Sequence, residues 1–557
     1  MEQTKRKHQS FEFGAAILVI ATLLVKVIGA VFKIPLSTKI LDTVGFGYFS
    51  AAYDLFLPIY SLAMAGLPIA ISRMVAENVA KKRFNDVRQT LRISRKAFFV
   101  TGLVGFVLMS AITYFFVVKK DDTGTLPSVL MIAPAILFCC IMSVYRGYYE
   151  GMRNMIPTAI SNIIEALGKL ILGLGFAWIV IKVRGDMSIT TVSYAAAGAM
   201  LGITVGTALG ALYLVIKFKK DKGLVTPEEY ATSPQAESGK QILKMLVVIA
   251  IPIALGSLAQ NVASLVDVTM VKGLIAADAS VLRSMYGTLI GADIVNAADV
   301  SNFFYGIRGQ AFTLFNLIPS ITSVMGVSAL PVLATSWTNR DMPEVKRNMS
   351  SIIKLTSLIV LPAGFGLAFL GTPIMSLVYG TNEAITIGGP MLTVFGIAAV
   401  FSGLAMPLTN MLQAVGKQIV PVINIGIGAV IKIIVNLILV GMPEINILGS
   451  AIGTLCCYIY IAVANLICLI KYTKTVPDFV SSVVKPCVSA LLCAIAAFGV
   501  TALLGDTRLY TILAVLVAVI VYFVALVLLR AIDKQDVMAF PKGEKIAKVL
   551  ERLHIIH

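Results

Sequence analysis

The sequence predicts an all-α polytopic membrane protein of about fourteen transmembrane helices, arranged as two pseudo-symmetric six-helix lobes followed by two further helices. Three observations carry this expectation. The 557-residue chain is 58% hydrophobic, has a mean hydropathy of +0.89 and carries only 13% charged residues, where a soluble domain carries roughly 25%. Apolar runs of about 20 residues, enough to cross the hydrocarbon of a bilayer, recur along nearly the whole length. Lysine and arginine collect in alternate loops.

The elements follow in order. The run from 14 to 38 comes after Lys5, Arg6 and Lys7 in the manner of a signal peptide. It is too long for a signal core, lacks a small-residue cleavage site and contains Lys26 and Lys33, so it reads as a retained span. Runs at 46 to 71, 97 to 118, 127 to 145, 156 to 181 and 190 to 216 complete a first lobe over residues 1–216. Residues 217–244 form a cytoplasmic connector in which Thr226-Pro-Glu-Glu229 supplies the hydroxyl, N1 proline and glutamate of a capping box, predicting a short helix. Runs at 245 to 271, 310 to 334, 352 to 378, 385 to 412, 418 to 440 and 446 to 470 make a second lobe over 245–472. Runs at 483 to 504 and 509 to 529 fall in an appended segment, 473–532. In the tail, 533–557, Ile546, Val549, Leu550, Leu553 and Ile556 recur at helical spacing opposite Lys542, Lys545, Lys548 and Arg552. That is the pattern of a basic amphipathic helix lying on a membrane surface.

Cytoplasmic loops accumulate Lys and Arg. With an even number of spans and the N-terminus inside, the inner loops receive the cluster Arg73, Lys81, Lys82, Arg83, Arg88, Arg92, Arg95 and Lys96 and the group Lys217, Lys219, Lys220 and Lys222. Both termini are therefore expected in the cytoplasm. The net charge of +17 is explained by this loop bias beside anionic headgroups. A nucleic-acid partner, which would want a single basic face with interleaved aromatics, is not expected.

All seven cysteines lie in or beside apolar runs, without metal-ligand spacing, and the three histidines, His8, His554 and His557, are confined to the tails. A histidine triad or zinc centre within the spans is thereby excluded, and no metal or cofactor is expected. No Gly-rich phosphate loop of the Walker type occurs, so nucleotide hydrolysis is not the expected energy source.

The two lobes look like repeats. Gly151-Met-Arg153-Asn-Met-Ile-Pro157 enters the fifth run and Gly416-Lys417-Gln-Ile-Val-Pro421 the eleventh, each with a basic residue four before a proline; Lys169 and Lys432 then follow at similar distances. Lobes of equal, even span number share one orientation, which predicts an axis along the membrane normal and a cleft between them.

Charges inside the spans are the best functional clue, because a charged side chain at mid-membrane costs roughly 2.5–3.5 kcal/mol on insertion scales and usually faces a cavity, a partner or a substrate. The candidates are Lys26 and Lys33, seven residues apart on one face of the first run; Asp54; Glu165 and Lys169, an i, i+4 pair with the acid first; Asp267; and Lys432. Each has a structural alternative. Lys33 near a span end can snorkel, Glu165 and Lys169 can neutralise one another, and Asp267 can be interfacial. Four lysines against three carboxylates leave the interior slightly cationic, suited to phosphate, pyrophosphate or carboxylate.

The stretch Tyr145-Arg-Gly-Tyr-Tyr-Glu-Gly-Met-Arg-Asn-Met-Ile-Pro-Thr-Ala-Ile-Ser-Asn-Ile-Ile-Glu165, followed by Lys169, and Gly66-Leu-Pro-Ile-Ala-Ile-Ser-Arg73 resemble the MurJ-like and stage V sporulation protein B-like lipid flippases of the multidrug/oligosaccharidyl-lipid/polysaccharide (MOP) exporter superfamily. The resemblance spans essentially the whole chain. It implies a monomeric flippase, not an enzyme, in the bacterial plasma membrane. Such a protein moves an undecaprenyl-pyrophosphate-linked saccharide, lipid II foremost, from the inner to the outer leaflet by alternating access, for peptidoglycan or spore cortex synthesis. Membrane potential or an ion gradient would drive it. It also implies that Lys26 and Lys33 engage the pyrophosphate, with Lys39 and Arg308 as secondary candidates; many relatives have arginine where this chain has lysine.

Two other classes compete. A cation-coupled multidrug exporter of the same architecture would rely on Asp54, Glu165 and Asp267. A membrane glycosyltransferase would need a catalytic carboxylate constellation, and the longest outer connector, about 272 to 309, offers Asp278, Asp293 and Asp299 without motif spacing.

Overall fold

The computed structural model describes residues 11–115, 121–221, 225–380 and 384–531. The terminal histidines and the expected amphipathic tail lie outside the described residues. The described chain is helical throughout and divides into two compact units, residues 1–306 and 307–557.

In the first unit the order is α1 (Phe11–Pro35), α2 (Thr43–Ala80), α3 (Phe84–Thr113), α4 (Leu126–Ile132), α5 (Ala135–Gly151), α6 (Ile156–Arg184), α7 (Ile189–Lys220), α8 (Pro227–Thr232), α9 (Gly239–Val266), α10 (Lys272–Ala277) and α11 (Ala279–Met285). Helix α12 (Ala297–Phe315) begins in the first unit and ends in the second. The second unit continues with α13 (Leu317–Thr338), α14 (Met342–Phe369), α15 (Gly371–Tyr379), α16 (Ile385–Ala414), α17 (Ile419–Leu439), α18 (Leu448–Thr473), α19 (Lys485–Leu504) and α20 (Arg508–Leu528).

Among the described residues, twelve helical stretches are long and apolar enough to cross a membrane. They coincide with the expected runs one to six and nine to fourteen. At the seventh expected run stands α9, and the eighth is divided between α12 and α13, which meet at Asn316. The expected ninth span, 352 to 378, also differs: α14 starts ten residues earlier and stops at Phe369, and α15 continues after Leu370. The compact units meet at Gly306 and Ile307 rather than in the 217–244 connector, because α9 packs along α2. Gly66 on α2 allows this approach, since a Cβ there would stand 2.5 Å from the Ala250 carbonyl.

Surfaces are inverted relative to a soluble protein. Phe99, Val100, Leu103, Val104 and Val107 on α3 and Leu509, Leu516, Ile520 and Phe523 on α20 are exposed. Helices carrying such faces satisfy their own backbone groups and can stand in hydrocarbon. The buried core of the first unit gathers Ile71, Val75, Val87, Phe98, Cys140, Met142 and Leu214 from α2, α3, α5 and α7. In the second unit, Leu333, Met349, Ile353, Leu412 and Leu469 play the same part.

Helix α6 crosses closely on α7. Gly198, Gly202, Gly206 and Gly210 recur every fourth residue on α7, and Gly206 lies against the backbone of Glu165 and Lys169. Small residues at this spacing let two helix backbones approach in a membrane. In the connector the expected capping box is present: Thr226 Oγ1 accepts from the Glu229 N–H at 3.3 Å and Glu229 Oε2 accepts from the Thr226 N–H at 2.9 Å.

Candidate functional site

Helical periodicity brings one stripe from each of several helices to a common cavity in the first unit. Thr22, Val25 and Gly29 of α1, Tyr53, Phe56 and Tyr60 of α2, and Asn162, Glu165 and Lys169 of α6 recur at intervals of three or four. Arg146 of α5 and Thr207 of α7 complete the wall, and the cavity encloses about 250 Å³. The α6–α7 glycine contact holds Glu165 and Lys169 in place, because it fixes their backbone from behind.

The charge pattern inside is specific. Arg146, 5% exposed, sends Nη2 to Glu165 Oε2 at 3.0 Å and Nε to Ser161 Oγ at 3.0 Å. Glu165 is therefore paired with the arginine of α5, and Lys169 is directed elsewhere. Its Nζ lies 5.3 Å from the centroid of the Tyr53 ring and 5.6 Å from that of Phe32, while Lys33 Nζ lies 4.9 Å from the same Tyr53 ring. Two ammonium groups thus meet on one aromatic ring, whose π-face offsets part of their mutual repulsion. Phe46, Phe49, Tyr53, Phe56 and Tyr60 continue as a row of neighbouring rings along α2.

The other expected site residues are placed as follows. Lys26, half-buried on α1, borders the stripe formed by Thr22, Val25 and Gly29. Asp54 is 7% exposed and accepts from the Tyr305 hydroxyl at 2.6 Å, away from the cavity wall. Asp267 is 1% exposed in a π-helical turn, Asp267–Val271, that follows α9 just as Leu36–Ile40 follows α1. In the second unit, Arg308 is buried over the Phe312 ring at 4.7 Å. Lys432 is buried on the α17 stripe of Asn424, Gly428 and Asn436 that faces α18. Lys33 and Lys169 are thus brought together, joined by Arg146 and Glu165. Sequence reasoning did not select Arg146, although it stands inside the quoted stretch; a buried arginine one residue beyond an apolar run was the available signal.

A second polar cluster lies at the end of the first unit opposite the α8 connector. Lys272 Nζ donates to Asp122 Oδ2 and, at 2.7 Å, to Asn302 Oδ1; Asn302 Nδ2 and Thr125 Oγ1 each donate to Asp122 Oδ1 at 2.9 Å. The neighbouring Tyr48 hydroxyl donates to Asp299 Oδ1 at 2.5 Å. Close packing makes this possible, for Gly47 faces the Asn302 carbonyl and Gly306 the Thr43 carbonyl with no room for a Cβ.

Repeated membrane-crossing helices around a cationic, aromatic-walled cavity define a polytopic membrane protein with a charged internal site. The chain belongs to the polysaccharide biosynthesis protein family, whose model matches residues 13–337. The MatE family model matches residues 305–438. The chain is 25% identical over 464 residues to the lipid II flippase MurJ of Bacillus subtilis (strain 168), covering 80% of this chain and 81% of that protein. It is 26% identical over 453 residues to the stage V sporulation protein B of the same organism, covering 80% of each. A solved structure of lipid II flippase MurJ in an inward closed conformation shares the fold, with a TM-score of 0.62 at 15% identity over 92% of this chain and 98% of that one.

Proposed function

We propose that this protein is a flippase for an undecaprenyl-pyrophosphate-linked saccharide, lipid II foremost, moving it from the inner to the outer leaflet of the bacterial plasma membrane by alternating access. Peptidoglycan or spore cortex synthesis would be the consumer. The observation that carries this reading is the meeting of Lys33 and Lys169 on Tyr53 beside Arg146.

Lysine acts on phosphate as a mobile point charge, so the two ammonium groups can follow a pyrophosphate through its passage. Arg146, held by Glu165 and Ser161, keeps a fixed charge at the cavity wall. Tyr53, Phe56 and Tyr60 on the cavity wall offer ring faces to sugar rings, and the polyprenyl chain remains in lipid. Membrane potential supplies about 2.3 kcal/mol per charge per 100 mV, and potential or an ion gradient is the proposed driving force. Both termini are assigned to the cytoplasm on the loop charge bias.

The cation-coupled exporter is less well supported, because Glu165 is engaged by Arg146 and Asp54 accepts from Tyr305. The transferase reading is weakened likewise, since Asp299 is hydrogen-bonded to Tyr48.

The test is outward movement of lipid II in proteoliposomes, with polyprenyl-linked sugars of other kinds and cationic dyes as comparison cargoes. Lys33→Met and Lys169→Met are each expected to reduce lipid II movement at least tenfold at equal protein level. Dye export without movement of any lipid-linked sugar would overturn the proposal. So would unchanged lipid II transport in the double variant.

A further inference from the structure

We propose that the second unit holds a binding site for a lipid with an anionic phosphate headgroup, at the membrane boundary where the first turns of α14 meet the π-helical turn Val480–Val484 ahead of α19. The site is independent of the cavity formed by α1, α2, α5 and α6 and shares no residue with it.

A cavity of about 490 Å³ opens there. Its α14 wall is one helical stripe in which Lys346, Arg347, Ser350, Ser351 and Lys354 recur at intervals of three and four. Lys346 and Arg347 are exposed at its mouth, whereas Lys354 is 4% exposed and lines the interior. At 1.5 Å per residue, Lys354 stands roughly 12 Å deeper along the helix than Lys346, so the cations occupy two levels. Asp478 also lines the cavity and accepts from the Ser481 N–H at 3.3 Å. The exposed Lys346 and Arg347 outnumber the Asp478 carboxylate in the lining, which suits an anion.

The opposite wall is fastened. The Asp478 N–H donates to Ser350 Oγ and the Ser482 hydroxyl to the Ser350 carbonyl, both at 2.9 Å. These bonds tie the turn to α14 and hold the serine hydroxyls of the lining at a fixed separation from the lysines. Arginine and lysine together suit a phosphate, the first as a planar fork and the second as a point charge.

What selects a lipid over a free anion is the neighbouring cavity. A second space of about 140 Å³ is lined wholly by apolar residues, including Ile353, Phe401, Leu404, Leu408, Phe479 and Val483. The two spaces are built on the same two elements: Ile353 precedes Lys354 on α14, and Phe479 and Val483 flank Ser481 and Ser482 at the turn. An occupant with a phosphate at one end and a hydrocarbon chain at the other fits both, while inorganic phosphate or a soluble phosphorylated metabolite would use only the first. The charge bias of the loops assigns this end of α14 to the cytoplasmic leaflet, where anionic headgroups concentrate and where basic pockets between transmembrane helices take them.

The test uses the full-length protein, delipidated in detergent, with binding read as retained lipid in native mass spectrometry and as a shift in thermal midpoint. Probes are dioleoyl phosphatidylglycerol, its dihexanoyl analogue, dioleoyl phosphatidylcholine and inorganic phosphate. Long-chain phosphatidylglycerol is expected to be retained and to raise the midpoint. Its apparent affinity should fall at least tenfold in Lys346→Gln/Arg347→Gln, two exposed positions whose replacement leaves the fold intact. The short-chain analogue should bind at least tenfold more weakly than the long-chain lipid. Equal responses to phosphatidylglycerol and phosphatidylcholine, or unchanged binding in the double variant, would overturn the site. A shift reproduced in full by inorganic phosphate would overturn the assignment to a lipid.

Discussion

Arg146 on α5 and Glu165 on α6 form an ion pair at 3.0 Å whose side chains are 6% and 20% exposed, with Ser161 accepting from the same guanidinium. Removing one member of a buried pair strands the other charge, at a cost of about 3–5 kcal/mol. Arg146→Met is therefore expected to lower unfolding stability by that amount in detergent. Arg146→Met/Glu165→Leu should regain most of it, since replacing both partners by apolar groups is near neutral. Transport should stay lost in the double variant, because the fixed cation is gone. A double variant as unstable as the single one would show that the pair is not the source of the cost.

How far the sequence foretold this site depends on where helix ends fall. The apolar run read as 127 to 145 stops one residue short of Arg146, whereas α5 continues to Gly151, because Gly147 and Gly151 pack on the Pro68 and Ser72 carbonyls of α2. Within α6 the i, i+4 spacing suggested Glu165 with Lys169, and local geometry alone supports that pairing. The competitor lay nineteen residues back on another helix. Asp54 shows the same limit more strongly, since its donor Tyr305 is 251 positions away. Lys33 and Lys169, by contrast, were legible from the cost of placing charge in an apolar run. The order of spans was readable too, since hydropathy is local; the packing of α9 on α2 depends on Gly66 facing Ala250 and has no local signature.

The α6–α7 contact yields a steric prediction. A Cβ on Gly202 would collide with the backbone of Gly173 and Leu172, so the helices must separate to accept any side chain. Gly202→Val is expected to cost at least about 2 kcal/mol, within the range for overpacking a tight interface, and to displace Glu165 and Lys169 from the cavity wall. Gly175→Ala, where a Cβ meets nothing within 4 Å, should leave stability equal or improved by up to about 1 kcal/mol through helix propensity. Thermal unfolding of both variants checks the contrast, and similar losses would show that the glycine stripe is not the contact that matters.

The cluster around Asp122 predicts strong coupling. Lys272 donates to both Asp122 and Asn302, and Asn302 donates back to Asp122, so each group satisfies two others. Asp122→Asn and Lys272→Met should each cost about 3–5 kcal/mol as single changes. The double variant should be less damaged than their sum by at least about 1 kcal/mol, as expected for residues in one network. A double-mutant cycle measured by denaturant unfolding reads this directly, and additive losses would contradict a shared network.

Asp299, in the connector before the eighth expected span, gives a pH dependence with a definite sign. Burial raises its carboxyl above the usual carboxylate range; the Tyr48 hydroxyl opposes this by donating to it, the charge of Asp122 adds to the rise, and Lys272 opposes it again. The folded protein then holds the proton to a higher pH than the unfolded chain, where an aspartate titrates near about 3.9. Folding takes up a proton between those two values. The contribution of Asp299 to stability therefore increases as pH falls through the raised folded value and levels off below the unfolded one. The stability difference between the native chain and Asp299→Asn should shift in favour of the native chain as pH is lowered from 7 toward 4, read as unfolding midpoints in detergent. A difference that stays flat, or moves toward the variant, would mean that the Tyr48 bond outweighs burial at this carboxylate.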